Sequence, residues 1–559
     1  MIRYMRWQVL FAFVGIALML AMLNDLSQEL QTLVLPEAGG AYVEGIPARP
    51  GNLNPFFLQT RADQDVAGLL FNRLTRASET GQILPELARE WEVSEDSRQY
   101  TFHLRSNVLW HDGEPLTAED VAYTIGVIKD PAFRGDPALI ELWSDVEVEV
   151  IDALTIRATL PSSLVPFAPF LSSTATFDIL PAHILAETPV AALADARFSR
   201  QPVGTGPWRL AQIEADQFIF EPNPLYFAYR EPMLDRLILR FYDGYASTLQ
   251  AYQRGEVMGI AQVRPEDAER VLADPSLNLY PTTIPGYTAL FFNLQDPLFQ
   301  EQPLREALML GLNRQGLIDE VLEGQGIVAD GFLMPTHWAY DPNLPRYPFQ
   351  PDEARALLNE AGWRDSNGDG VRDKDDEPLQ FTITTDRANP TLVALAEAIA
   401  TQWNLLGIRV EPQFVDLSRR QRPENFDLLL LATAPGGLPA DPDFYPLWHS
   451  SQVDGGQNLT GFADEAADQL LVEGRRNLDP EVRRQYYNAF QEMLAEQLPA
   501  LPLYHPVYNY AVGNLVQQVQ VGPFTRASDR FRTLPDWYIH TSRVVVEQDD
   551  PTPTPAPIR

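Results

Sequence analysis

Apolar and polar positions in this 559-residue chain switch many times between a period near two and a period near 3.6, which predicts interleaved strands and helices. Between 91 and 105, Tyr100, Phe102 and Leu104 take one face and Thr101, His103 and Arg105 the other. That stretch therefore reads as two strands around a turn at 94–97. Val146, Val148 and Val150, followed by Leu154 and Ile156, predict a second hairpin. After Trp110 comes a His111-Asp112-Gly113 turn, and Thr117 then opens a helix. Thr117, Ala118, Glu119 and Asp120 form a near-capping box with Asp in the fourth place. Val121, Ala122 and Ile125 supply that helix's apolar face, and Pro131 stops it. Further helices are predicted at 63–76 (running into the next strand), 246–254, 303–317, 352–362 and 392–406, and two more between 461 and 501. Strands are expected at 237–241, 287–292, 379–384, 408–411, 427–431 and 503–512.

Length changes this picture first, because a chain of this size divides into two or three domains. Charge changes it next. With 76 acidic residues against 42 basic ones the net charge is −34, and the only lysines are Lys129 and Lys374. No basic patch is offered to nucleic acid or anionic lipid, and the acidity reads as a solvated surface. Cysteine is absent, which removes disulfides, thiolate metal sites and the lipid-modified cysteine that tethers many exported proteins. Arg3 and Arg6 precede an apolar run at 9–23 that is followed by Asn24 and Asp25 with no small-x-small cleavage site. This predicts an uncleaved signal anchor with the rest of the chain exported. Residues 24–40 read as a spacer. The end of the chain, PTPTPAPIR at 551–559, reads as a disordered extended tail.

The order of the pieces says more than any one of them. PELAREWEVSEDSRQYTFHLRSNVLWHDGEPLTAEDV (85–121) and QPVGTGPWRL (201–210) resemble two signature blocks of the solute-binding proteins of bacterial ABC importers, in the large family that binds peptides, nickel and related solutes. The similarity runs over roughly 41–539. It implies an α/β, two-lobed, periplasmic-binding-protein-like (venus flytrap) fold of the large type. The expected division is an anchor and spacer at 1–40, lobe I at 41–283 with an inserted subdomain at about 75–200, and lobe II at 284–502. A return to lobe I at 503–545 and a tail at 546–559 would complete it. The resemblance also implies that a peptide or similar small solute is captured between the lobes and delivered to the permease subunits of an ABC transporter. A monomer is the default for a protein that must open and close. No nucleotide site is carried by the chain itself, and the glycines of 204–206 lack the Lys and Ser/Thr of a phosphate-binding loop.

Candidate chemistry is sparse. No G-x-S-x-G elbow, cysteine nucleophile or close histidine pair is present, so an enzyme is not expected. A nickel-binding variant would have to rely on His449. A peptide-binding sensor without a transporter would share the same signature. The loop 365–376 nearly fits a calcium loop, with Asp365, Asn367 and Asp369 at positions one, three and five and Asp376 in the last place, so a structural calcium is one reading and a turn between helix and strand the other. No cofactor is required. For the solute, the cleft candidates are Asn54, in the Asn-Pro segment after the first strand, and the aromatic residues Tyr287, Trp338 and Trp448, with Asp441. In peptide-binding members an acidic residue near the Asp-Pro of this loop clamps the peptide's ammonium group. Here Leu438, Pro439 and Ala440 occupy the places just upstream, leaving Asp441 and Asp443.

Overall fold

The computed structural model describes residues 30–135, 137–161, 167–417, 426–433 and 441–547, together with 15, 16, 18 and 19. The expected signal anchor and the end of the tail lie outside these residues apart from those four. Among the described residues no helix is long and apolar enough to cross a membrane.

The chain begins with β1 (Leu30–Glu37), β2 (Ala41–Ile46) and α1 (Arg61–Leu70). An inserted region follows, with β3 (Ala88–Val93), β4 (Gln99–Leu104), α2 (Ala118–Lys129), β5 (Glu147–Asp152) and β6 (Thr155–Thr159). Its strands form a four-stranded antiparallel sheet in the order β3-β4-β6-β5. Tyr100, Phe102 and Leu104 are buried, as their alternation requires. Asp120 accepts the Thr117 backbone N–H at 2.8 Å, closing the box at the start of α2.

After the insertion come β7 (Trp208–Ile213), β8 (Gln217–Pro222), β9 (Arg236–Phe241), α3 (Tyr245–Gln253), β10 (Gly259–Val263) and β11 (Leu277–Thr283). The second half of the molecule supplies β12 (Thr288–Phe292), β13 (Gln380–Asp386), α4 (Pro390–Asn404), β14 (Arg409–Val415), β15 (Leu428–Ala432), α5 (Glu465–Arg476) and α6 (Pro480–Gln497). β16 (Ala500–Gly513) and β17 (His540–Glu547) complete the chain.

One sheet runs through both halves, in the order β14-β13-β15-β12-β16-β10-β2-β9-β8-β7. β2 is parallel to β9 and β10, and β13 is parallel to β14 and β15. β16 is shared. Its first residues, from Ala500 to Tyr504, pair with β12, and Val507 to Gly513 pair with β11. The chain therefore crosses between the halves at 284–287 and again around His505 and Pro506. The apolar core follows the same division. One cluster unites β2, α1 and the inserted sheet, whereas β12 sends Leu290 and Phe292 to one face of the second half and Ala289 and Phe291 to the other.

Two sequence expectations change. Residues 24–40 are not a plain spacer, because β1 pairs antiparallel with β17 from Leu30 opposite Glu547 to Glu37 opposite His540. A strand whose partner lies at the far end of the chain leaves no local signal. Gly40, at φ +93°, makes the turn into β2; a Cβ there would come within 2.9 Å of His540 Nε2. The helix expected at 303–317 is two helices, Gln302–Leu310 and Arg314–Val321. Gly311 lies against Leu406, and Asn313 starts the second helix by accepting the Gly316 N–H at 2.9 Å.

The two signature blocks meet in space. His111 donates its backbone N–H to Gly204 O at 2.8 Å, and its ring bridges Gly204 N and Gly206 O, each at 3.2 Å. With Nδ1 accepting from Gly204, the ring is the neutral tautomer that donates from Nε2. A Cβ on Gly204 would strike Leu70 O, so the close approach itself demands glycine. Burial pushes the His111 pKa down to about 4. Its stabilisation is thus present above the unfolded value near 6.5 and is lost as pH falls toward 4, a loss of up to about 3 kcal/mol. Urea melts from pH 7 to pH 4 should show His111→Gln losing less stability across that window than the wild type. Parallel losses would remove His111 from the acid response.

Candidate functional site

Beside the crossing at 284–287 lies a cavity of about 120 Å³. Glu79, Thr283, Phe524 and Thr525 face it from the first half, and Tyr287, Phe332, Leu333, Met334, Asp441, Leu447 and Trp448 from the second. Each group is placed by backbone geometry. Thr433, at the end of β15, receives the Tyr287 N–H on its hydroxyl at 2.7 Å and donates its own N–H to Tyr287 O at 2.9 Å. That exchange fixes Tyr287 at the entrance to β12. Its ring meets Phe332 edge-on at 5.1 Å, Phe332 meets Trp448 at 5.2 Å, and Trp448 stacks on Phe291 at 6.2 Å. Burial pushes the Tyr287 hydroxyl up to about 12, so it stays protonated.

The carboxylates of the wall are all paired. Arg483, on α6, grips Asp441 through both terminal nitrogens at 2.6 Å and also donates to Tyr487 Oη at 2.9 Å and, through Nε, to Gly474 O at 2.9 Å. Burial opposes the charge on Arg483, but Asp441 outweighs it and holds the guanidinium above its ordinary pKa. Burial raises the Asp441 carboxyl, with Arg483 pulling it back down. Arg475, on α5, binds Asp443 at 2.8 and 2.6 Å while lying over the Tyr445 ring at 3.8 Å. Glu79 accepts from Arg532 at 2.6 Å.

The sequence candidates are thus distributed unevenly. Tyr287, Asp441 and Trp448 line the cavity. Trp338 stands behind it: the Arg483 guanidinium lies over its ring at 5.3 Å, and its backbone N–H donates to Thr80 O at 3.0 Å, joining the second half to the insertion. Ala168 N to Arg475 O, at 2.8 Å, is a second such tie. Asn54 is not on the cavity wall. It is fully buried, its Oδ1 accepts the Phe56 N–H at 3.1 Å, and it closes its own turn. Asp441 does not stand ready for a cation, because Arg483 already occupies both its oxygens. Sequence reading missed Arg483, Arg475 and Arg532, which carry no motif and reach the wall only through the fold.

The residues of the calcium-like loop turn to their own backbone. Asp365 accepts the N–H of Gly368 and Gly370, Asn367 that of Asp369, and Asp369 that of Val371. Asp376 sits with Asp375, both at positive φ, at the tip of a short hairpin of Asp373–Lys374 with Glu377–Pro378. Among the described residues no group of three or more His, Asp or Glu is gathered to hold a metal. The groove beside this loop is larger, about 590 Å³, but it lies open at the surface, and its Arg372 is spent on Leu406 O, Trp363 O and Asn359 Oδ1.

The family model for bacterial extracellular solute-binding proteins, family 5, middle region, matches residues 82–455. The oligopeptide-binding protein AppA of Bacillus subtilis is 28% identical over 479 residues, 84% of this chain and 87% of its own. Di/tripeptide-binding protein 1 of Pseudomonas aeruginosa is 28% identical over 503 residues, 85% and 90% of the two chains. The solved structure of Bacillus subtilis AppA in complex with a nonapeptide superposes with a TM-score of 0.71 at 26% identity, over 90% of this chain and all of that one.

Proposed function

Because this chain belongs to family 5 of the bacterial extracellular solute-binding proteins, we propose that it captures a peptide between its two lobes outside the cytoplasm and hands it to the permease of an ABC importer. It is a binding protein and not an enzyme. The observation that carries the proposal is the shared strand β16. It threads both halves of the sheet, so that the lobes can turn about 284–287 and 504–507 without breaking either half. A solute held in the cavity would touch Tyr287 and Trp448 on one side and Phe524 on the other. Only the closed form offers both sets at once, and that difference is what lets a solute drive closure. The relatives named for oligopeptides and di/tripeptides support peptide as the solute.

In this reading the apolar run at 9–23 anchors a monomer to the membrane, and Arg3 and Arg6 stay inside. Native mass spectrometry of the protein purified without denaturation tests the central claim. Added mass that fragments as peptide and disappears on unfolding is the expected result. A co-purified sugar or chelate would replace peptide as the solute.

A further inference from the structure

We propose that the interlobe cavity receives an uncharged apolar group of the solute, of leucine to phenylalanine size, and does not read an ammonium group. This rests on the solute-binding reading above and deepens it. The first observation is the wall: Phe332, Leu333, Met334, Leu447, Trp448 and Phe524 are among its lining residues, and apolar atoms outweigh polar ones over it as a whole. The second is charge. Glu79, Asp441 and Asp443 are the acidic side chains on that wall, and each is already bound to an arginine, by two hydrogen bonds at Asp441 and at Asp443. The stretch of sequence that leads into Asp441, Ala-Pro-Gly-Gly-Leu-Pro-Ala at 434–440, contributes no ionisable side chain.

An ammonium placed here would leave water and meet a pair whose charges already cancel. At Asp441 it could gain a carboxylate only by displacing the buried Arg483 guanidinium, which would then be stranded without a counter-charge. An apolar group meets no such barrier. The cavity, about 120 Å³, approaches the roughly 150 Å³ at which a dry apolar protein cavity takes up benzene.

The test uses the full-length protein in detergent, with toluene and benzylamine as small probes that share the benzyl group, the second carrying an ammonium at pH 7. Calorimetric melting should show toluene at about ten times its Kd raising Tm on the order of 1 °C, with benzylamine without effect. Leu447→Phe, which fills the cavity, should abolish the toluene shift. Equal or greater stabilisation by benzylamine, or no shift with toluene, overturns the proposal. A second arm compares Ac-Ala-Leu-Ala with Ac-Ala-Lys-Ala by titration calorimetry. The leucine peptide should bind at least about tenfold more tightly. A lysine peptide of equal affinity overturns the inference and leaves peptide capture standing. Toluene binding with no peptide binding sinks peptide capture and leaves the cavity's preference standing.

Discussion

Arg530→Met should cost at least about 3–5 kcal/mol of stability, the penalty for removing one partner from a buried ion cluster. Arg530 is fully buried, and all five of its N–H groups are used. Nε and Nη2 donate to Glu44 at 2.9 and 2.7 Å, Nη1 and Nη2 to Asp65 at 2.6 and 2.8 Å, and Nη1 to Ala527 O at 2.8 Å. Glu44 lies on β2 and Asp65 on α1, whereas Arg530 arrives from the last part of the chain. Without it, two buried carboxylates face one another. Glu44 keeps only the hydroxyls of Tyr510, at 2.6 Å, and Tyr42, at 3.1 Å. Burial already raises the Glu44 pKa, and Asp65 adds to the rise while Arg530 opposes it. Removing Arg530 therefore lets the folded state of the variant bind a proton that the unfolded chain does not. A carboxyl with a raised folded pKa stabilises most at low pH, so the variant's deficit should be largest near pH 8 and narrow toward pH 5. Urea denaturation at both pH values checks this, and a deficit that does not change with pH would mean that the carboxylates find other partners. Arg530→Lys should recover little, because an ammonium has three donors and no fork.

The second large effect falls on the cavity wall. An Asp441 that clamped an ammonium group would, on replacement by Ala, weaken binding of a cationic solute and leave the fold intact. The geometry reverses that expectation. Removing Asp441 strands Arg483, buried among Trp338, Tyr487 and Gly474 O, and should cost about 3–5 kcal/mol. Arg483→Met with Asp441→Leu removes the pair together and should restore most of the loss, because the charges leave as a neutral unit. Thermal melts of Arg483→Met, of Asp441→Leu and of the double variant complete the cycle. Simple additivity would show that the two groups do not depend on one another.

These residues also mark what could be read from the chain alone. The strand alternation of Tyr100, Phe102 and Leu104, the box at Thr117 and Asp120, and the shared face of Leu395, Ile399 and Trp403 are local patterns, and the structure places each of these apolar residues in the core. Both signature blocks were visible, but not that His111 of one hydrogen-bonds to Gly204 and Gly206 of the other. Tyr287, Asp441 and Trp448 line the cavity, and as aromatic and acidic residues at or after strand ends they stand out in the sequence. Their partners do not, since Arg483 and Arg475 look like ordinary helix residues until folding brings them to the wall. Asn54 misled for a related reason. An asparagine that closes its own turn has the same sequence signature as one that meets a ligand.

The pairing of β1 with β17 has a practical consequence for watching this protein move. Leu30 and Glu547 are rung partners, so the described chain is close to a ring, and reporters attached at its two ends would stay together whatever the lobes do. A dye pair meant to follow closure has to span the halves, with one member on the exposed edge of the inserted sheet, at Glu92 for example, and the other at the exposed Leu405 beyond α4. Because the sequence contains no cysteine, two introduced thiols would be the only ones labelled, and a second variant labelled at the ends of the ring would serve as the fixed-distance control.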